Sequence, residues 1–346
     1  LYRQMNPATA HNERVLKSEM NSRRKLVIGL AASALASPWT VFAQPQSRVW
    51  RIGYLATSDP ATSPQLEALR NGLRERGYVE GKNLQIEYRW AEGSIERRPE
   101  LVADLVRLKV EIILAFGTPA VLAAKQATAT IPIVMVGVGD PVHSGLVASL
   151  ARPGANITGV SNFAAELTAK LVELLQQVVP GITRLAVLRN PSNAVAARQM
   201  QYAQTAAQSL GVQLQAFDVR SPADFDNAFA EMVKAHVSGV VVLGEPMFTG
   251  NSRRIAELAL KSHLISIHNN RIFPAAGGLL SYGPVLDELW RLAAIYIDRI
   301  LKCAKPADLP VEQPTKFELV INKKTATALG IKVSDSVMAR ADMIIE

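Results

Sequence analysis

The stretch from Glu111 to Phe163 constrains the fold more than any other part of the chain. It holds two successive units of one kind. Ile112-Ile113-Leu114-Ala115-Phe116 is a short apolar run, followed by Gly117-Thr118-Pro119 and an alanine-rich helical pattern. Ile133-Val134-Met135-Val136 is a second run, followed by Gly139-Asp140-Pro141 and a second expected helix. Apolar runs of this length suit strands buried on both faces, as in parallel sheets. Proline suits the first turn of a helix, where its missing N–H has no intrahelical partner to lose. Thr118 and Asp140 are then expected as helix N-caps at the carboxyl ends of parallel strands, where open α/β sheets bind ligands.

The same alternation runs through the rest of the chain. Strands are expected at Val49 to Leu55, Leu84 to Arg89 (an edge strand, from its alternating pattern) and Asn156 to Val160. Between them lie helices at Gln65 to Arg76 and Ser94 to Leu108. After Phe163 the cycle restarts. Strands are expected at Arg184 to Leu188, Val212 to Phe217, Gly239 to Leu243, Leu264 to Ile267, Gly278 to Ser281 and Lys316 to Ile321. Helices are expected at Leu167 to Val178, Ala194 to Leu210, Ser252 to Lys261 and Asp287 to Leu301. Two such runs imply an α/β protein of two doubly wound parallel-sheet lobes. With 346 residues, 49% of them hydrophobic, the chain is long enough for two cores.

The N-terminal region reads differently. Residues 1–19 lack a pattern and are read as upstream sequence outside the native protein. Met20 to Ala43 has a basic head (Arg23, Arg24, Lys25), an apolar run from Leu26 to Ala36, and a small-x-small end at Val41-Phe42-Ala43. This is the pattern of a secretory signal peptide cleaved near Ala43, and its apolar core is shorter than the roughly 20 residues a spanning helix needs. Ser22-Arg23-Arg24-Lys25-Leu26 also resembles a twin-arginine motif, although paired arginines are common in ordinary signal heads. The expected location is the periplasm.

The net charge of +8 is concentrated at this end. Six of the 38 basic and two of the 30 acidic residues fall within 1–43, leaving +4 for the remainder. That is too mild for a nucleic-acid partner, and no helix carries a dense basic stripe. The single cysteine, Cys303, has no internal partner and reads as a small core residue.

A strand end, a polar residue, a proline and a helix recur at Thr118-Pro119, Asp140-Pro141, Asn190-Pro191 and Glu245-Pro246, and more loosely at Ser58-Asp59-Pro60. Each polar residue alone would serve as a cap. Together, on two lobes facing across a cleft, they would form a site. Helix N-termini favour a carboxylate, and Asp140 and Glu245 would pair with an ammonium, a combination that suits an amino-acid-like zwitterion. Tyr282, beside Gly283 and Pro284 at an expected inter-lobe crossing, would stack on a ligand or pack at the hinge. Catalytic signals are poor. His143, His236, His263 and His268 lack metal-ligand spacing, and no nucleophile elbow, P-loop or dinucleotide fingerprint is present. Neither a cofactor nor a metal is expected.

Longer stretches carry a family resemblance: Arg51-Ile52-Gly53-Tyr54-Leu55, Gly72 to Asn83, Gly117-Thr118-Pro119, Gly139 to Val142, Ser149 to Ser161, Ser281-Tyr282-Gly283 and Lys305 to Asn322. From Arg51 onward the chain resembles periplasmic substrate-binding components of ABC importers, in the branch that includes tryptophan-type binding proteins. Ala155 and Cys303-Ala304 depart from that pattern. The resemblance implies a type I two-lobed fold with three crossings. Lobe 1 is expected at residues 48–162 plus 284–305, and lobe 2 at 163–283 plus 306–346. It further implies a monomer without catalysis that captures a small solute by hinge closure and docks on an inner-membrane permease. Ligand contacts are implied at Ser58, Thr118, Asp140, Asn190, Glu245 and Tyr282. The alternatives are a sensory domain presenting solute to a receptor and, with less support from the residues, a hydrolase using the same cleft.

Overall fold

The structure, a computed structural model, describes residues 48–56, 64–91 and 97–346. The expected upstream segment, the signal peptide and Ser58 lie outside the described residues. The first half runs β1 (Trp50–Ala56), α1 (Pro64–Arg74), β2 (Leu84–Trp90), α2 (Arg98–Arg107), β3 (Ile112–Phe116), α3 (Thr118–Ala127), β4 (Ile133–Val138) and β5 (Ile157–Ser161). The second half runs α4 (Ala164–Val178), β6 (Arg184–Arg189), α5 (Ala196–Leu210), β7 (Gln213–Asp218), α6 (Phe225–Lys234), β8 (Gly239–Val242), α7 (Pro246–Gly250), α8 (Ser252–Lys261), β9 (Ile265–His268), α9 (Ile272–Ala275) and β10 (Leu280–Pro284). It finishes with α10 (Leu286–Leu301), β11 (Phe317–Asn322), α11 (Lys323–Ala328), α12 (Asp335–Met338) and β12 (Met343–Ile345).

Among the described residues these strands form two sheets, of order β2-β1-β3-β4-β5 and β12-β11-β10-β9-β8-β6-β7. The first is parallel throughout, and β2 is its edge as the alternating sequence implied. Every residue of β4 is buried, because helices cover both faces of the sheet. The second sheet has one antiparallel pair, β10 with β11, in which Pro284 lies opposite Phe317. Topology requires this reversal. The chain leaves the sheet at the carboxyl end of β10 and returns to the same end, so β11 can only run away from it.

Chain order and lobe do not coincide. Helix α10 follows strands β6 to β10 of the second sheet in sequence but completes the first core, where Leu289, Trp290, Ala293 and Ile297 join Ile52, Tyr54, Leu66 and Leu69. The Trp290 ring stacks on Phe116 at 5.6 Å between centroids and meets Tyr54 edge-on at 5.7 Å. Residues 306–312 were expected with the second lobe, but Leu309 to Glu312 runs along the first sheet. The Thr158 hydroxyl donates to the Leu309 carbonyl at 2.7 Å, and Glu312 exchanges backbone hydrogen bonds with Gly159 and Ser161. The segment covers the outer edge of β5, which would otherwise present unpaired N–H and C=O groups.

The chain therefore passes between sheets at three places: after Ser161, after Pro284, and between Glu312 and Phe317. Phe163 makes the first turn in a left-handed conformation, with φ 57°. At the second crossing, a Cβ on Gly283 would collide with the Asn269 carbonyl oxygen, so the backbones pass where only glycine fits. Arg271, which precedes α9, donates to Asp287 on α10 at 2.9 Å and thus ties the lobes beside this crossing. Among the described residues no helix is long and apolar enough to cross a membrane.

Candidate functional site

The carboxyl ends of β3, β4, β8 and β9 converge on a cavity of about 30 Å³. Phe116, Gly117, Thr118, Gly137 and Gly139 line it from the first lobe. Asn193, Glu245, Thr249, Asn269 and Asn270 line it from the second, with Asn162 and Pro284 at the crossings. The lobes touch at its rim. A Cβ on Gly117 would overlap the Pro246 ring, and one on Gly139 would lie 3.0 Å from Val195. A space of this size holds a water or two and no amino acid, so the lobes must part for a larger solute to enter.

Two of the expected residues meet here, Thr118 and Glu245, both nearly inaccessible. Thr118 was expected as an N-cap. The cap is Gly117, at φ 80° and ψ 158°, and Thr118 is the first residue of α3. That backbone region is essentially glycine-only, which explains why no side-chain cap occupies it. Glu245 is an N-cap as expected. Its Oε2 accepts the backbone N–H of Met247 and, at 3.2 Å, that of Phe248, while Oε1 is buried without a hydrogen-bond partner. Burial pushes the carboxyl up. The Met247 N–H, the Arg98 guanidinium, the Phe248 N–H and the Asn190 amide oppose that shift.

The other expected residues sit around this pair. Asn190 is buried behind it, its Oδ1 accepting the Ser192 N–H at 3.0 Å. Asp140 lies outside the cavity lining and its Oδ1 accepts the His143 N–H at 2.9 Å. The helix expected after Asp140-Pro141 is a series of turns, because Gly145 takes a left-handed conformation within one turn of its start. Tyr282 stacks on Phe317 at 6.1 Å and packs against the second core, away from the lining.

The second lobe supplies residues that the motif reading missed. Asn193 Oδ1 accepts the Val195 N–H at 3.2 Å, and Asn270 Oδ1 accepts the Ile272 N–H at 3.0 Å. Such side-chain turns fix an asparagine without a helix around it. Asn270 also donates to the Thr249 hydroxyl at 3.1 Å. Behind it, His268 is fully buried, and its Nδ1 accepts the Asn270 N–H at 3.1 Å. Burial pushes that imidazole down to about 3, so it is neutral near pH 7. The sequence signal for this group was Asn269-Asn270 immediately after an apolar strand.

The family described as ABC transporter substrate binding protein matches this chain over residues 55–345. The chain belongs to that family. As a substrate-binding protein it is 24% identical over 273 residues to the tyrosine-binding protein of Clostridioides difficile (strain R20291), covering 78% of each. A Streptococcus pneumoniae ABC domain solved in complex with L-Trp is 26% identical, with a TM-score of 0.80 over 86% of this chain and 100% of that one. A conserved domain protein from Vibrio cholerae is 27% identical, also with a TM-score of 0.80, over 86% and 99%. The two parallel-sheet lobes are those of type I periplasmic binding proteins. This substrate-binding protein is therefore not an enzyme, in keeping with the sparse catalytic signals of its sequence.

Proposed function

We propose that this substrate-binding protein captures an amino-acid-like solute between its lobes in the periplasm and delivers it to an inner-membrane ABC permease. The observation that carries the amino-acid reading is Glu245. Its buried carboxyl is capped on one oxygen by backbone N–H groups, its other oxygen is buried without a hydrogen bond among the described residues, and the residue lines the cavity together with polar groups of the second lobe. That arrangement suits a solute ammonium. The tyrosine-binding and L-Trp-bound relatives support the same class. Thr118 and Glu245 are the proposed direct contacts, with Asn190 supporting Glu245. Asp140 and Tyr282 are proposed at the margin, and Ser58 rests on the family resemblance alone. The closing bodies are proposed as residues 48–162 with 284–312, and 163–283 with 313–346.

Capture works as a population shift. A solute touching both walls binds the closed form better than the open one and stabilises it by that difference, while the three crossings absorb the rotation. A thermal-shift screen of L-tyrosine, L-tryptophan, other amino acids, nucleobases and sugars tests the reading. A raised midpoint with at least one amino acid is expected; a response confined to sugars or nucleobases would overturn the class. Scattering with and without that amino acid should show contraction. Residues 20–43 are proposed as the export signal, so N-terminal sequencing of exported protein should begin near Gln44.

A further inference from the structure

The wall that the first lobe gives to the cavity carries an aromatic side chain for which the binding reading has no use. Phe116 is the last residue of β3, held in the ladder opposite Val136 of β4. Among the described residues it is the only aromatic in the cavity lining. Its ring ends a cluster that runs back into the first core. Trp290 stacks on Phe116 at 5.6 Å, Tyr54 meets Trp290 edge-on at 5.7 Å, and Tyr88 meets Tyr54 edge-on at 5.9 Å. Trp290 and Tyr54 are 2% and 3% exposed, whereas Phe116 is only partly buried and is the member that reaches the cavity.

The backbone keeps space for this ring. A Cβ on Gly137 would lie 2.8 Å from Phe116 Cε2. Gly117 and Gly139 share the wall and add no side chains, while Pro284 and Leu286 extend its apolar surface. The wall is thus a shallow floor of backbone and apolar groups with one ring set in it.

We propose that Phe116 determines which side chain the solute carries: its ring, backed by Trp290, stacks on the ring of an aromatic amino acid whose charged head group lies at Glu245. The proposal rests on the reading of the cleft as an amino-acid site. Stacked rings attract one another beyond the area they bury, and a saturated ring of equal size lacks that gain. Trp290 orients Phe116 before the solute arrives, so little freedom is lost on binding. A planar group also parts the two walls less than a branched one of equal area, which favours closure over it.

The test is calorimetry on the unmodified protein and on Phe116→Leu, which keeps an apolar side chain and loses the ring. The probes are L-phenylalanine, L-tyrosine, L-tryptophan, L-leucine and L-cyclohexylalanine, the last a saturated twin of phenylalanine. The unmodified protein should bind the best of the aromatic amino acids about fivefold or more tighter than L-leucine and L-cyclohexylalanine. Phe116→Leu should weaken that aromatic amino acid about five- to tenfold and change the two saturated ones less than about twofold. Phe116→Tyr, which keeps the ring, should stay within about threefold of the unmodified protein. An equal loss for every probe, which is what a packing defect gives, would overturn the proposal. So would no loss, or as large a loss in Phe116→Tyr. Phe116→Met takes the place of Phe116→Leu if that variant does not fold. Indole and 3-phenylpropionate, which lack the ammonium, separate the two readings. If they bind with the same dependence on Phe116 while no amino acid binds, the amino-acid reading fails and the role of Phe116 stands. If L-leucine binds and no aromatic probe does, the role of Phe116 fails and the amino-acid reading stands. A protein that binds none of these probes would overturn both.

Discussion

Where the first lobe meets the cleft it presents Gly117, Gly137 and Gly139, with Thr118 and Phe116 beside them; where the second meets it, it presents Asn193, Glu245, Asn269 and Asn270. The first wall is mostly backbone and the second mostly polar side chains. The reason lies in what each must do. The first wall comes close enough for Gly117 to lie against Pro246, and a side chain there would hold the lobes apart. The second wall carries groups fixed by their own turns, and these can select a solute before closure. On this division, closure is limited by space on one side and polar groups are recognised on the other.

Four substitutions test the division, in falling order of effect. Gly117→Ala adds a Cβ that overlaps Pro246 at a φ reserved for glycine. It should cost about 3 kcal/mol of closure, roughly a hundredfold in solute affinity, with little loss in the second lobe's own stability. Calorimetry and scattering check it together. Normal affinity with normal contraction would show that the first wall has room to spare. Glu245→Gln keeps the shape and removes the charge. It should cost about 2 kcal/mol, near thirtyfold, for an amino acid and much less for an uncharged analogue lacking the ammonium. Equal losses for both would remove recognition from the second wall.

The third substitution concerns acid. Burial holds His268 at about 3, below the 6.5 of an exposed imidazole, so between those values the unfolded chain binds the extra proton. The stability tied to a neutral His268 is complete above about pH 6.5 and is lost as the pH falls toward 3. By pH 5 the loss should reach about 2 kcal/mol, and His268→Gln should flatten that part of the melting-temperature profile. An unchanged slope would mean that His268 is solvated. Smallest is Asp140→Ala. Its carboxylate caps a turn beside the first wall rather than facing the cavity. It should lower stability by about 1 kcal/mol and change solute affinity less than about twofold. A large affinity loss would put polar recognition on the first wall after all.

What the sequence made legible follows the same physics. Doubly buried strands such as Ile112–Phe116 and Ile133–Val138 announce themselves as unbroken apolar runs, and the helices between them keep an apolar stripe. The C-terminal elements α11, α12 and β12 are short and carry no such period, so they went unread. The Pro-marked strand ends led to Glu245, which is both cap and cavity lining, and to Thr118, which lines the cavity one position past its cap. Arg98 stayed hidden. Within Arg97-Arg98-Pro99-Glu100 it reads as part of a charged helix start, yet the fold leaves it only 1% exposed. Asp140 carries the same cap motif but lies outside the cavity lining, since a cap motif does not say which way its turn faces.

One feature of the fold bears on the order in which the protein can be assembled. The core that Ile52 and Tyr54 of the first sheet share with Leu66 and Leu69 of α1 is finished by Leu289, Trp290 and Ile297, more than two hundred positions later. The border of β5 is finished later still, by Val311 and Glu312. A nascent chain therefore emerges with its opening half unable to seal itself, however much of that half has been made. Any product cut short before α10 would keep that greasy surface open to proteases, while the complete polypeptide buries it in a single late step.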